Sequence, residues 1–160
     1  MAETGLKQVW TGAVTRIDLT DLEGVGTYRF ESGKIYKYIK YDNGAGSIEG
    51  ILGRVVGYRL LDGYKTNIVT MDSSDHIGSL AAGVLAASLQ DGNFGWVQIK
   101  GAATVTNAAV AGSDGDPLTL VGATADVGDL DVNIATAANA HICAWAGDIS
   151  DDEIVCNFPW

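Results

Sequence analysis

Lys34-Ile35-Tyr36-Lys37-Tyr38-Ile39-Lys40-Tyr41 alternates aromatic or β-branched residues with basic ones at period two. That is the pattern of a half-buried strand, whose successive side chains point to opposite faces. Tyr28-Arg29-Phe30, just before it, alternates in the same way. Working outward, Asp42-Asn43-Gly44-Ala45-Gly46 is a turn signal, residues 48–60 hold another strand region (Ile51, Leu52, Val55, Val56, Tyr58, Leu60), Asp62-Gly63 marks a turn and Thr66–Met71 a further strand.

Leu80-Ala81-Ala82-Gly83-Val84-Leu85-Ala86-Ala87-Ser88-Leu89 has helical propensity, yet Asp91-Gly92-Asn93 follows at once. Phe94-Gly95-Trp96-Val97-Gln98-Ile99-Lys100-Gly101 then alternates like a strand. A hairpin turning at Asp-Gly accounts for both flanks, since that dipeptide supplies the positive φ angles of a tight turn. The last sixty residues repeat short strand, turn, short strand: Thr104–Val110, Pro117–Val121, Asp129–Ile134, His141–Ala146 and Glu153–Phe158. Strands at this spacing predict a mainly β fold, a small barrel or sandwich. Residues 1–26 show no sustained apolar period and read as an N-terminal arm, leaving 27–160 as the β-rich domain.

Composition agrees. The 160 residues fit one domain, and 21 Gly with 20 Ala suit many turns between short strands better than helices. Hydrophobic residues make up 47% and charged residues 19%, which excludes a disordered chain. The net charge of −10 is unevenly spread. Residues 1–65 carry nine basic side chains against eight acidic, whereas 66–160 carry only Lys100 against twelve. So acidic a chain repels nucleic acid and anionic membranes, and neither is expected as a partner. The most apolar stretch, Ile77–Leu89, is too short to span a bilayer as a helix. The first residues lack the apolar core of a signal peptide, so synthesis in the cytoplasm is expected.

The arrangements that catalysis or metal binding would need do not form. Gly44-Ala45-Gly46-Ser47-Ile48-Glu49-Gly50 has the wrong spacing for a dinucleotide loop and no Gly-Lys-Ser/Thr follows. His76 and His141 have no partner at metal-ligand spacing, and Asp114, Asp116, Asp126, Asp129 and Asp131 match no twelve-residue calcium loop. Cys143, two residues from His141, has no nucleophile-elbow motif around it and reads as a small core residue. The reading is therefore no enzyme, no cofactor and no metal. A hairpin turning near Ile149-Ser150 makes opposite positions sum to 299, which sets Cys143 facing Cys156 as a thiol pair able to oxidise outside the cell.

Ala82-Gly83-Val84-Leu85 leading through Asp91-Gly92-Asn93 to Phe94-Gly95-Trp96-Val97-Gln98-Ile99-Lys100-Gly101 resembles a pattern of tailed-bacteriophage virion proteins. Tyr36-Lys37-Tyr38-Ile39-Lys40-Tyr41-Asp42-Asn43-Gly44 is similar to the aromatic-basic strand of that group, and Gly115-Asp116-Pro117-Leu118 to its turn into a strand. His141-Ile142-Cys143-Ala144-Trp145-Ala146 resembles its closing hairpin, with Cys143 where Gly is common. The resemblance covers roughly residues 27–158 and is to capsid decoration, or cement, proteins. It implies a small β-rich, β-tulip-like fold and a homo-oligomer, a trimer. The partner would be the major capsid protein on the outer surface of the expanded head.

Under that resemblance Leu6, Val9 and Trp10, with the near-neutral 27–65 half, are expected to lie toward the shell. Asp114, Asp116, Asp126, Asp129 and Asp131 would point outward. Phe158 and Trp160, unusual at a chain end, are expected to dock on their own chain or on a neighbouring copy, with an oligomer contact as the expectation. A competing reading is another virion part, such as a head fibre, tail component or glycan-binding adhesin with Tyr58, Tyr64 or Trp145 as stacking platforms.

Overall fold

A computed structural model describes Trp10 and residues 12–106, 112–120, 128–132 and 141–160. In order these form β1 (Tyr28–Glu31), β2 (Lys34–Tyr41), β3 (Val55–Arg59), α1 (Gly63–Thr66), β4 (Ile68–Thr70), β5 (His76–Leu85), β6 (Phe94–Thr104), β7 (Pro117–Leu120), β8 (Leu130–Val132), β9 (Ala144–Asp148), a 3-10 turn (Ile149–Asp151) and β10 (Glu153–Asn157). The fold is mainly β. The strands make one sheet ordered β1-β2-β4-β3-β5-β6-β10-β9-β7-β8, and a second pairing of β2 with β6 joins β2, β4, β3, β5 and β6 into a small ring. All pairs are antiparallel except β2 with β4.

The long strand β6 connects the two parts. Its first half borders β2 on one edge and β5 on the other, and its second half runs on to pair with β10. Ile39, Tyr41, Val55, Val69, Leu85, Val97 and Ile99 fill a core that continues into Leu118, Leu120, Ile154, Cys156 and Phe158. Strand β7 folds back onto the ring: a Cβ on Gly57 would stand 3.2 Å from Leu120 Cδ2 and 2.8 Å from His76 Cβ, so only glycine permits that approach.

The hairpin reading of residues 80–101 holds, with a wider connection. β5 pairs with β6 through Val84↔Gln98 and Leu85↔Val97. The Asp91-Gly92 turn is present, closed by Asn93 N–H donating to Gln90 O, with Gly92 at φ +77°. Between strand and turn, Leu89 exchanges both backbone hydrogen bonds with Gly50, so the chain leaves β6 to cover the 50–53 loop.

Other boundaries move. Residues 48–54 are loop, the Asp62-Gly63 turn opens a one-turn helix, and β5 starts at His76. Of the segment read as a strand over 104–110, only Thr104 belongs to β6; 107–110 lie outside the described residues, as do 121, 133 and 134. β2, read as half-buried, is buried on both faces. Ile39 and Tyr41 enter the main core, while Tyr36 and Tyr38 join Trp96 in a second cluster that the N-terminal segment covers.

The cysteine register is corrected as well. Cys156 pairs with Ala144 rather than Cys143, because the 3-10 turn and the irregularity between Glu153 and Ile154 slip the hairpin by one residue. Both thiols are free and buried. Burial pushes each up to about 12, with the neighbouring Cys156 adding to the effect at Cys143.

Candidate interaction surfaces

The N-terminal segment packs on its own domain. Trp10 meets the Trp96 ring edge-on with centroids 5.2 Å apart, and Arg29 lies over both rings while its Nη1 donates to Gly12 O at 2.6 Å. Behind them Tyr38 Oη donates to Asp18 Oδ2 at 2.6 Å, and Arg16 bridges Asp18 and Glu23. The hydrogen bonds that Arg16 donates to Asp18 and Glu23 raise its pKa further, and burial followed by the Asp18 contact raises that of Tyr38. Asp18 also exchanges backbone hydrogen bonds with Phe94. Trp10 is thus engaged within its own chain; Leu6 and Val9 lie outside the described residues.

Beyond this anchor the segment presents Ile17, Leu19 and Leu22 to solvent, Leu19 at 82%. Ile17 and Leu19 line a groove of about 510 Å³ with Glu49, Gly50, Ser88, Leu89, Gln90 and Asn93. Exposed Ile51 and Leu52 follow Gly50 in the chain, Leu52 tied to Ser88 through a 3.0 Å bond from its N–H to Oγ.

The chain end divides. Phe158 is fully buried in the core of its own chain, so its ring is taken up internally. Trp160 is 54% exposed, edge-on to Tyr28 at 5.6 Å and beneath the Lys100 ammonium. Lys100 Nζ also donates to Asn157 Oδ1 at 2.7 Å.

Trp160 borders a broader sheet face that sequence reasoning missed. Cross-strand partners share a face. The register Phe30↔Ile35↔Lys100↔Asn157 therefore sets one row across β1, β2, β6 and β10, and Ala102↔Val155↔Trp145↔Pro117 sets a second across β6, β10, β9 and β7. Alternation along β10 buries Ile154 and Cys156 and turns Val155 and Asn157 outward, so the second row forms an exposed ledge, whereas in the first row Ile35 packs against the main core across an irregularity in the β2–β6 register. On the ledge Val155 is 47% exposed and Trp145 43%, and Phe30 on β1 is 68% exposed. The signal was readable in Glu153-Ile154-Val155-Cys156-Asn157, where a β-branched residue sits at an outward position.

The acids behave unevenly. Asp114 is exposed beside the β9–β10 tip, where its Oδ1 accepts from Ile149 N–H, and Asp148, Asp151 and Glu153 belong to the same tip in sequence. Asp129, expected outward, is instead buried and ion-paired with Arg54. Asp126 lies outside the described residues. Near the 42–47 loop, burial alone would raise the Asp72 carboxyl, but hydrogen bonds from Ser74 and the Gly46 N–H, with His76 nearby, hold it below the usual range. Of the proposed stacking residues Tyr64 and Trp145 are exposed, whereas Tyr58 is fully buried and offers no platform.

One charged group sits in the interior. Lys37 is 4% exposed and its Nζ donates to Tyr58 Oη at 3.1 Å, between the Tyr28 and Tyr58 rings. Desolvation pushes its pKa down. Among the described residues no cluster of His, Cys, Asp or Glu could hold a metal, and no helix is long and apolar enough to cross a membrane. No family model, curated protein or solved structure matches the chain.

Proposed function

We propose that this chain is a capsid decoration protein, a non-catalytic binder of the outer surface of an expanded phage head that ties neighbouring coat subunits together. The observation that carries the reading is the groove between the N-terminal segment and the 49–52 loop, lined by exposed Ile17 and Leu19 with exposed Ile51 and Leu52 next to it, on the near-neutral part of the chain. Exposed apolar side chains grouped on a rigid β framework are the usual mark of a surface that docks on another protein. Leu6 and Val9, outside the described residues, precede this segment in sequence and are proposed as further capsid contacts, with Trp10 holding the segment to its own domain.

The physical work is additive. A ligand that binds only the assembled lattice stabilises it by mass action. Several copies held rigidly together, three in the reading the sequence resemblance supports, convert later contacts into intramolecular ones and strengthen the first. The acidic tip would face water and keep the decorated particle soluble.

The test is to mix purified protein with expanded, undecorated heads and image them by electron microscopy. Stoichiometric density at symmetry-related positions is expected, lost with Leu19→Asp in a chain that still melts like the parent. Bare shells with the parent protein overturn the reading.

A further inference from the structure

A second pocket, of about 450 Å³, shares no lining residue with the docking groove. Tyr36 and Gln98, register partners on β2 and β6, line it together with Lys34. Val84, the partner of Gln98 on β5, joins Val14 and Val105 in its aliphatic wall, and exposed threonines stand at the rim. A pocket of this size, mostly apolar with a few polar groups, is the common form of a small-molecule site. Its polar groups are uncommitted. Tyr36 is 8% exposed and Gln98 6%, yet among the described residues Tyr36 Oη has no hydrogen-bond partner and Gln98 Oε1 accepts none. Neither oxygen is sealed from solvent. Gln98 Nε2 is spent on the carbonyls of Lys100, Gly101 and Ala102, so what Gln98 offers the pocket is an acceptor. Lys34 is half-buried, and among the described residues its ammonium forms no ion pair. Glu31, opposite it on β1, is taken by Arg29, and Glu153 shares only an adjoining hollow. In a chain of net charge −10, no acidic side chain is found among the described residues that line this pocket.

We propose that this pocket binds a small amphipathic carboxylate carrying one amide N–H, the chemistry of an N-acylated apolar amino acid and equally of a peptide's C-terminal residue. The carboxylate takes the Lys34 ammonium and the Tyr36 hydroxyl as donors, the N–H donates to Gln98 Oε1, and the aliphatic side chain lies against Val14, Val84 and Val105. Each polar atom left without a partner then gains one, and a buried polar group gains most from being satisfied. One ammonium among aliphatic walls suits a single negative charge on an apolar body. A phosphate calls for more cationic donors than Lys34 alone supplies. The inference is independent of the decoration reading, since it concerns a different site on the purified chain.

The experiment is an NMR titration of the isotope-labelled full chain with N-acetyl-leucine, its neutral amide N-acetyl-leucinamide, and an acetylated tetrapeptide ending in leucine. N-acetyl-leucine is expected to shift the amides of Tyr36, Val84 and Thr104 saturably, with a Kd on the order of a millimolar or below. The neutral amide binds about tenfold more weakly. Lys34→Met, which keeps the stem, brings the acid down to the level of the amide and leaves the amide unchanged, and Tyr36→Phe weakens the acid severalfold. Melting curves matching the parent show that each variant folds. A tetrapeptide that binds as tightly as N-acetyl-leucine or tighter assigns the ligand to a peptide end, and a weaker one assigns it to a free small molecule. Absence of saturable shifts overturns the inference, as do shifts confined to other parts of the chain. So does a parent that binds acid and amide equally, or a Lys34→Met variant that still prefers the acid. Shell binding by a protein whose pocket stays empty would remove this site and leave the decoration reading standing.

Discussion

Lys37 shows how one residue departs from the logic of its own strand. The alternation that makes β2 legible places a lysine on the inner face, where an ammonium meets two tyrosine rings and one hydroxyl, with no carboxylate bonded to it among the described residues. Cation–π contact with Tyr28 and Tyr58 offsets part of the desolvation, and the lowered pKa says that burial still outweighs it. Lys37→Met keeps the length of the stem and removes the charge, so the variant is expected to be more stable at pH 7 by about 1 kcal/mol in urea unfolding. The sign follows from linkage. A base whose folded pKa is depressed binds fewer protons folded than unfolded, so its destabilising effect fades as pH rises toward the ordinary lysine value. The advantage of the methionine variant therefore shrinks between pH 7 and about 10.4. A loss of stability at pH 7, or a pH-independent gain, would show that the amine is better accommodated than its surroundings imply.

The N-terminal segment is an element without regular structure, held by a few specific bonds. Asp18 is buried and accepts from Tyr38 and Arg16, so Asp18→Ala leaves a phenol and a guanidinium short of a partner at a cost of about 1–3 kcal/mol. Hydrogen exchange locates that cost. The amides of Asp18 and Phe94, which bond to each other's carbonyls, should exchange faster in the variant, while those of Val97 and Ile99 keep their protection. Uniform acceleration across β6 would mean that the segment is part of one cooperative unit with the ring. The same element marks the limit of what sequence could tell. Period two found β1, β2 and β6, and the spacing of turn residues in the last sixty positions marked β7 and β10, because backbone geometry writes those signals locally. Within Gly95-Trp96-Val97-Gln98-Ile99-Lys100-Gly101 the residues have separate tasks. Trp96 takes the arm, Val97 and Ile99 fill the core, and Gln98 Nε2 donates to the carbonyls of Lys100, Gly101 and Ala102 across a bulge that Gly101 permits at φ +90°. What stayed hidden is non-local: that residues 10–26 bury the second face of β2, that a slip of one residue parts Cys143 from Cys156, and that Asp129 reaches Arg54. The ledge was hidden for the same reason, since its row assembles only when β6, β10, β9 and β7 take their register.

At the scale of the whole molecule the titrating groups predict how stability depends on alkaline pH. Burial raises both thiols to about 12, and desolvation raises the phenols of Tyr41, Tyr58 and, together with Asp18, Tyr38. An acid whose folded pKa is raised holds its proton in the native state after the unfolded chain has lost it. Its stabilisation is therefore complete below the unfolded pKa and drains away as pH climbs toward the folded one. For the cysteines that window runs from about 8.5 upward, at roughly 1.4 kcal/mol per thiol for each pH unit. The tyrosines join only above about 10. Lys37 works in the opposite sense across the same range, but one amine does not offset two thiols. The free energy of unfolding in urea should accordingly fall between pH 8.5 and 10. In the variant Cys143→Ala with Cys156→Ala it should start lower at pH 7, because two buried sulfurs are gone, and then stay level or rise over that interval as Lys37 loses its proton in the native state while the unfolded chain still holds its own. Curves of parent and variant that fall in parallel would show that the thiols do not control the alkaline limit, and that ionisation elsewhere in the sheet opens it first.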